Sequence, residues 1–320
     1  MSARALLAWA VAAALVAVAA LALALALACA GAASAATRPC FGAAARDPKH
    51  PCVNPTRSVT PAIGDVGNVG APPCRLTRQQ PAPVCALGVA ATRATEHVAL
   101  VGDSHARHWG SALDKVARAQ GWQGYSIAGP GCFFSTAVRL LPVGPRAPCV
   151  AWYAAVQRWF RDHPEVHVVF LSQRADTQVA LRPGQTLLEA RAAGLRGALR
   201  ALPRTVRHVI VIRDTPLPLE STFGCVAAAI AAGQLAGPAC AIPRALALPQ
   251  DTAVATVQQI GSRRYQVADL TDQFCDPLSC FPVVGGVLVY RDLLGHMTNA
   301  YSRTLAPFLL RRVRFLMASW

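Results

Sequence analysis

The sequence is poor in acidic residues and lacks several motifs that would assign a function directly. It has 16 Asp and Glu against 31 Lys and Arg, nearly all of them arginine, so its net charge is +15. The absence of Cys-x-x-Cys argues against a zinc site, and the absence of Gly-x-Gly-x-x-Gly after the first predicted strand excludes a Rossmann dinucleotide site there. No nucleic-acid reader motif and no interleaving of basic with aromatic residues is present. The positive field would therefore attract anionic partners other than nucleic acid.

One long hydrophobic run stands near the start of the chain. Arg4 precedes an almost pure Ala, Leu and Val segment over residues 5–30, and Ala33-Ser34-Ala35 resembles a cleavage site. At more than about 20 apolar residues, the run is also long enough to span a bilayer as an uncleaved anchor. No second run of that length follows. We predict that residues 1–36 are a signal peptide or a single membrane anchor, and that the rest is extracytoplasmic, in the periplasm or at the cell surface.

The cysteines fit an exported protein. Ten of them follow the hydrophobic run, and an even number in pairwise clusters indicates disulfides. Nearest-neighbour pairing is the simplest hypothesis, and it joins Cys40 to Cys52, Cys74 to Cys85, Cys132 to Cys149, Cys225 to Cys240, and Cys275 to Cys280. The alternative is a metal site, which is disfavoured because the histidines do not sit near the cysteine pairs. We predict no metal and no cofactor.

The hydrophobic pattern becomes regular after a lead-in. Residues 37–95 are rich in Pro, Gly, Ala and Cys and predict an irregular, disulfide-tied segment, whereas residues 96–320 alternate between strands and helices. The predicted strands are 98–101, 122–128, 166–171, 208–212 and 265–270, the predicted helices are 104–120, 150–162, 187–202, 253–260 and 298–316, and a hairpin is predicted over 283–290. Strands that are apolar almost throughout indicate a parallel sheet covered on both faces. The fold class is therefore α/β, a three-layer α/β/α sandwich in one domain, with ligands at the carboxyl ends of its strands.

A serine lies at the first predicted strand-to-helix turn. The strand stops at Gly102, and Ser104 follows at the start of a helix. A hydroxyl at this edge lies near the free amides of the helix start, which would stabilise an oxyanion forming on a substrate. In the alternative interpretation, Asp103 or Ser104 only caps the helix. The turn alone favours neither.

A nucleophilic serine needs a base and an acid that orients the base. Of the eight histidines, His296 shares a short loop with Asp292, and a hydrogen bond between them would leave its other nitrogen free to face Ser104. His105 is adjacent to Ser104, but successive helical residues point about 100° apart, so it is badly aimed as a base and is predicted to line the pocket. In the alternative interpretation, Asp292 and His296 are ordinary loop residues beside the helix cap Thr298.

These motifs together resemble the SGNH hydrolase superfamily, and more closely the extracytoplasmic SGNH domain fused to membrane acyltransferases that O-acetylate surface polysaccharides. The matching segments are, in order, Gly102-Asp103-Ser104-His105 with Trp109, Gly129-Pro130-Gly131-Cys132, Cys275-Asp276-Pro277 with Cys280, and Tyr290-Arg291-Asp292 with His296-Met297-Thr298 and Tyr301-Ser302-Arg303. The resemblance extends from roughly Cys40 to the end of the chain. It implies that Ser104 is the nucleophile, that His296 is the general base and then acid, and that Asp292 orients His296.

The loop that carries the acid and the base departs from the family pattern. The family has Asp-x-x-His, whereas three residues separate Asp292 from His296. The additional residue, Gly295 or a neighbour, must loop out if Asp292 is to keep its role.

The oxyanion hole departs from the superfamily as well. The asparagine expected after the third predicted strand is missing, and Gln173 or Arg174 is the candidate donor in that segment. The resemblance then implies that the backbone amides of Ser104 and of Gly131 or its neighbours supply most of the oxyanion stabilisation.

The resemblance implies serine-dependent O-acyl transfer, in particular acetyl transfer, to an extracytoplasmic surface glycan through an acyl-serine intermediate. Water in place of the sugar hydroxyl would make the same chemistry that of an esterase. The membrane acyltransferase segment is absent from this sequence, so a separate membrane protein is expected to supply the acyl group. The altered loop spacing and the missing asparagine motivate an alternative of another class, a catalytically inactive glycan-binding protein with the same fold.

Overall fold

The structure is a computed structural model that describes residues 40–50, 52, 54–66, 82–140 and 147–320. Its strands are β1 (Cys85–Gly88), β2 (Glu96–Gly102), β3 (Trp122–Ala128), β4 (Val166–Ser172), β5 (His208–Ile212), β6 (Ile242–Pro243), β7 (Tyr265–Ala268), β8 (Ser279–Cys280), β9 (Val283–Val284) and β10 (Val287–Leu288). Its α-helices are α1 (Ser104–His108), α2 (Gly110–Gln120), α3 (Ala147–Asp162), α4 (Leu187–Ala201), α5 (Thr222–Ala231), α6 (Ala236–Ala239), α7 (Arg244–Ala247), α8 (Thr252–Ile260) and α9 (Asn299–Met317). Short 3-10 turns cover Gly42–Arg46, Ile63–Asp65, Ala91–Arg93 and Thr271–Gln273.

Six strands form the central sheet, in the order β1-β3-β2-β4-β5-β7. β1 is antiparallel to β3, and the other neighbours are parallel. The chain passes from β2 to β3 on one side and later adds β4 on the other side of β2. The strand order therefore reverses at β2, where α/β sheets open a crevice beyond the carboxyl ends of their strands.

The sheet separates two hydrophobic cores. Val98 and Leu100 of β2 are fully buried against apolar residues of α2 and α9 on one face. Ala99 and Val101 are fully buried on the other face, where α3, α4 and α8 pack. Because successive strand residues point to opposite faces, an unbroken apolar run supplies both cores. The predicted three-layer α/β/α sandwich with a mainly parallel sheet is confirmed.

Two local differences from the predicted elements concern β1 and the first helix. The composition of residues 37–95 predicts an irregular segment, yet Cys85–Gly88 pairs with β3 as an edge strand. These four residues include no β-branched or aromatic residue and show no alternation of apolar with polar residues, so pairing with β3 specifies the strand. The helix predicted over residues 104–120 is divided at Trp109 into α1 and α2.

The structure contains four of the predicted disulfides. They join Cys40 to Cys52, Cys132 to Cys149, Cys225 to Cys240, and Cys275 to Cys280. The fifth predicted pair includes Cys74, which lies outside the described residues. The hydrophobic run over residues 1–36 lies outside them too, and within the described ranges no helix is both long and apolar enough to cross a membrane.

Candidate active site

The turn after β2 is shaped by a glycine and an aspartate. Gly102 has a φ of +146°, and a Cβ atom on it would lie 1.7 Å from the carbonyl oxygen of Ser172, so a side chain there would collide with β4. Asp103 caps α1, since its Oδ1 accepts the N–H of His105 at 2.8 Å, and its Oδ2 accepts the N–H of Arg174 at 3.0 Å. The turn is therefore tied both to its own helix and to the end of β4. The capping interpretation holds for Asp103, and the hydroxyl of Ser104 takes no part in the cap.

Ser104, His296 and Asp292 form a continuous chain of hydrogen bonds. Nε2 of His296 lies 2.8 Å from the Oγ of Ser104. Nδ1 of the same ring lies 2.7 Å from Oδ2 and 2.9 Å from Oδ1 of Asp292. With its proton on Nδ1, the ring donates to the carboxylate and presents a lone pair to the serine hydroxyl. This geometry allows proton transfer from Ser104 to His296.

The carboxyl group of Asp292 is held in its charged form. Burial by itself raises the pKa of Asp292, but the hydrogen bond and charge of His296 and the charge of Arg291 bring that pKa below its usual value. Oδ1 of Asp292 also accepts the N–H of His296 at 3.3 Å. An ionised Asp292 can stabilise positive charge on the ring of His296 when that ring takes up a proton.

The additional residue of the loop is accommodated at Gly295. Its φ of +82° lies in the left-handed region, which favours glycine. The carbonyl of Leu294 lies 3.1 Å from Nε2 of His105, and the carbonyl of Gly295 accepts the hydroxyl of Thr215 at 3.1 Å. The loop therefore turns two successive carbonyls toward the protein, while Asp292 and His296 remain in hydrogen-bond contact.

The structure also places the predicted oxyanion-hole residues. Oε1 of Gln173 accepts the N–H of Phe134 at 3.0 Å, which fixes its amide against the loop after β3. The guanidinium of Arg174 is taken up by the carboxylate of Asp176, with Nη2 to Oδ2 at 2.8 Å. Gly131 has a φ of +71°, and its carbonyl accepts a hydrogen bond from Arg139. Of the two side chains predicted as oxyanion donors, Gln173 binds Phe134 through its oxygen and not through its amide nitrogen. The guanidinium of Arg174 forms a salt bridge with Asp176.

His105, predicted as a pocket residue, is buried beneath the loop, with 1% of its surface exposed. Its Nδ1 lies 2.6 Å from Oδ1 of Asp214, which is not among the predicted site residues. Asp214 is the second residue after β5, and a carboxylate just beyond the end of a buried parallel strand is the signal that would have found it. The backbone N–H of Asp214 donates to Oδ2 of Asp251 at 2.9 Å, and Asp251 in turn caps α8.

Two arginines bring positive charge to the same edge. Arg107 lies in α1, one turn after Ser104, and Arg291 directly precedes Asp292. Burial and the nearby charge of Arg291 lower the pKa of Arg107. Nε of Arg291 lies 3.4 Å from Oδ2 of Asp292, so its charge is paired with that carboxylate, and the charge of Arg107 favours an anionic ligand at this edge.

Within the described ranges, the group of side chains placed to hold a metal ion consists of His105, His108 and Asp214, whose ligand atoms lie within 4.8 Å of one another. Both ring nitrogens of His105 already have hydrogen-bond partners. Nδ1 of His108 accepts the N–H of Met297 at 3.1 Å. Protein atoms therefore occupy most of the coordinating positions, and we assign no metal site.

Comparison with known proteins gives the family and the fold of the chain. No curated protein matches the chain. Among solved structures, the fold is similar to that of the periplasmic domain of the lipopolysaccharide acetyltransferase from Salmonella ser. Paratyphi A, with a TM-score of 0.51 and 12% sequence identity over 72% of this chain and 90% of that one. At this identity the likeness is one of fold. Residues 73–311, more than half of the chain, match the family described as the SGNH domain fused to AT3 domains, and the chain belongs to that family.

Proposed function

We propose that this chain is a serine enzyme that transfers an acyl group, in particular acetyl, to an extracytoplasmic glycan through an acyl-serine intermediate. The observation that carries the proposal is the hydrogen-bonded chain from Ser104 through His296 to Asp292. Family membership supports the proposal, and so does the fold likeness to a periplasmic acetyltransferase domain. The same geometry argues against a glycan-binding protein without activity, because such a protein has no need of an aligned nucleophile, base and acid.

The first half-reaction forms the acyl-serine. Nε2 of His296 takes the hydroxyl proton as the Oγ of Ser104 attacks the acyl carbonyl carbon, and a tetrahedral oxyanion forms. Asp292 stabilises the resulting imidazolium. When the intermediate collapses, the bond to the leaving alcohol breaks, and His296 passes the proton to the oxygen of that alcohol. The acyl group is left on Ser104.

The second half-reaction repeats these steps with a new nucleophile. A sugar hydroxyl gives its proton to His296 and attacks the acyl-serine carbonyl. The bond to Oγ then breaks, and the proton returns from His296 to Ser104. With water in place of the sugar, the product is a free acid and the reaction is that of an esterase.

The developing oxyanion needs hydrogen-bond donors in both halves. We assign this role to the backbone amides of Ser104 and of Gly131 or its neighbours, with the amide nitrogen of Gln173 as the side-chain candidate. The positive charge of Arg107, which follows Ser104 in α1, favours an anionic glycan as acceptor.

The proposal includes an extracytoplasmic location and a membrane partner. Four disulfides are typical of proteins that work in an oxidising compartment. The SGNH domains of this family are described as fused to AT3 domains, so we propose that a membrane acyltransferase supplies the acyl group. The predicted domain division assigns catalysis to residues 96–320, with residues 37–95 as the lead-in and residues 1–36 as the signal peptide or anchor.

The nucleophile can be tested with the purified full-length chain and an aryl acetate. We expect Ser104→Ala to lose at least roughly a thousandfold in kcat, and we expect mass spectrometry to find an acetyl group on Ser104 of the unchanged protein. Ser221→Ala is the matched control, because Ser221 is exposed and its side chain caps no helix. Equal turnover by the Ser104→Ala variant and the unchanged protein would refute the assignment.

Transfer and hydrolysis can be separated by partition of the acyl-enzyme. With an anionic oligosaccharide as acceptor, a transferase releases aryl alcohol faster and forms acetylated sugar, whereas an esterase forms only acetate. Saturable binding of the glycan without acetate release or acyl-serine would indicate the non-catalytic binder.

A further inference from the structure

The hydrogen bonds around His105 define its protonation state. Its Nε2 faces the carbonyl oxygen of Leu294, which accepts and never donates. Its Nδ1 faces Oδ1 of Asp214, which also accepts the N–H of Thr215 at 2.8 Å. The other oxygen of Asp214 accepts the N–H of Ala175 at 2.9 Å. Since both oxygens of Asp214 are engaged as acceptors, satisfying both contacts of His105 requires a proton on each ring nitrogen.

The charges around His105 favour the same state. The carboxyl group of Asp103 lies beside it at the start of α1 and that of Asp251 lies behind Asp214, and burial raises the pKa of both groups. Burial alone would lower the pKa of His105, but the charge and hydrogen bond of Asp214, with the charge of Asp103, raise that pKa to about 9 despite the opposing charge of Arg174.

The neighbouring histidines do not compete for this charge. The ring of His108 lies 5.1 Å from that of His105 between centroids. Burial, followed by the charges of His105, His296 and Arg291, lowers the pKa of His108 well below its usual value. A neutral His108 with its proton on Nε2 also fits its Nδ1, which accepts a backbone N–H.

We propose that His105 is a buried imidazolium, paired with Asp214, whose second N–H holds the carbonyl of Leu294 and thereby positions the loop that carries His296. His105 is a positioning residue: it contacts neither Ser104 Oγ nor a reacting atom through its ring nitrogens, which are both engaged elsewhere. The rings of His105 and His296 lie 5.0 Å apart between centroids. Because His296 lies on this loop, a shift of the loop by 1 Å would displace the ring of His296 relative to Ser104.

The charge is tested on the unchanged full-length protein with ¹⁵N-labelled histidine. We expect long-range ¹H–¹⁵N spectra at pH 7 to show one histidine with both ring nitrogens protonated, and Asp214→Asn to abolish this imidazolium signal. A neutral His105 in the unchanged protein, or an imidazolium that persists in Asp214→Asn, would overturn the proposal. This readout does not depend on catalysis, so it stands apart from the test of Ser104.

The positioning role rests on the proposed function and is tested with the double variant His105→Gln/Asp214→Asn, which leaves no unpaired charge. We expect kcat toward an aryl acetate to fall roughly 10- to 100-fold with KM nearly unchanged, because the base is displaced while the binding surface remains. His167→Gln is the matched control, since His167 forms a partly exposed pair with Glu96 at the amino end of β4.

The two failures are distinguishable. A double variant that retains kcat within about twofold would overturn positioning by His105 while leaving Ser104 as the nucleophile. Turnover unaffected by Ser104→Ala would refute the proposed function and leave the imidazolium intact. If the double variant does not fold, kcat and KM are measured separately for the single variant His105→Asn. An unchanged kcat in that variant would refute the positioning role of His105.

Discussion

The ion pair of His105 and Asp214 predicts a specific loss of stability at alkaline pH. A histidine in the unfolded chain titrates near pH 6.5, whereas the folded protein raises the pKa of His105 to about 9. The folded state thus binds the proton more tightly, and the stabilisation is fully present below pH 6.5. It is lost progressively as the pH rises from 6.5 through about 9.

The size of this loss follows from the width of the pH window. Each pH unit corresponds to about 1.4 kcal/mol per bound proton, so the free energy of unfolding should fall by about 3 kcal/mol from pH 6.5 to 9. Burial lowers the pKa of His108 and of His208, so these two histidines change the free energy of unfolding mainly below pH 6.5.

The measurement is equilibrium unfolding in urea with tryptophan fluorescence, at intervals between pH 6 and pH 9.5 with the disulfides intact. The double variant His105→Gln/Asp214→Asn has no titrating pair at this position, so its free energy of unfolding should lose most of this slope. His167→Gln should keep it. Parallel pH profiles for the unchanged protein and the double variant would refute the assignment of the proton to His105.

Three further perturbations test the site. Asp292→Asn should lower kcat roughly 10²- to 10⁴-fold in the aryl acetate assay, because the imidazolium of His296 loses its counter-charge, and wild-type kcat would contradict the triad. Gly295→Ala forces an alanine to a φ of +82° and should cost about 1 kcal/mol or more in urea unfolding, with reduced kcat; an unchanged variant would show that the loop tolerates a side chain. Replacing Cys132 and Cys149 by alanine opens a link across 17 residues and should cost about 3 kcal/mol, and unchanged stability would contradict this value.

Local patterns predicted the central strands and most of the longer helices, whereas α5 (Thr222–Ala231) was not predicted. β3 and β5 have the predicted limits, and β2 and β4 differ from prediction by one or two residues at their ends. β2, β4 and β5 contain apolar runs bounded by polar residues or glycine, whereas β3 includes Gln123 and Ser126 and is bounded by Gly121 and Gly129. The information that specifies these four strands is therefore local. Strand β1 is different, since only its pairing with β3 makes it a strand.

The hydrogen-bonded triad of Ser104, His296 and Asp292 could be predicted from the sequence, because its residues belong to two short motifs that the family resemblance links. The pairing of His105 with Asp214 could not be predicted in this way. These residues lie 109 positions apart, and they meet because β2 and β5 end at the same edge with β4 between them. Strand order decides this contact, and neither residue lies in a motif that points to the other.

The longer loop between Asp292 and His296 has a physical explanation in these long-range contacts. A five-residue loop with a glycine at positive φ exposes its carbonyls, and a carbonyl left without a donor inside the protein costs free energy. His105 supplies a donor for Leu294, and Thr215, next to Asp214, supplies one for Gly295. These two donors, His105 and Thr215, bind the loop from outside it, and Asp292 binds His296 within the loop. We infer that the additional residue is compatible with an aligned base because the loop is anchored to the segment after β5, and that loss of this anchor would affect His296 before it affected the sheet.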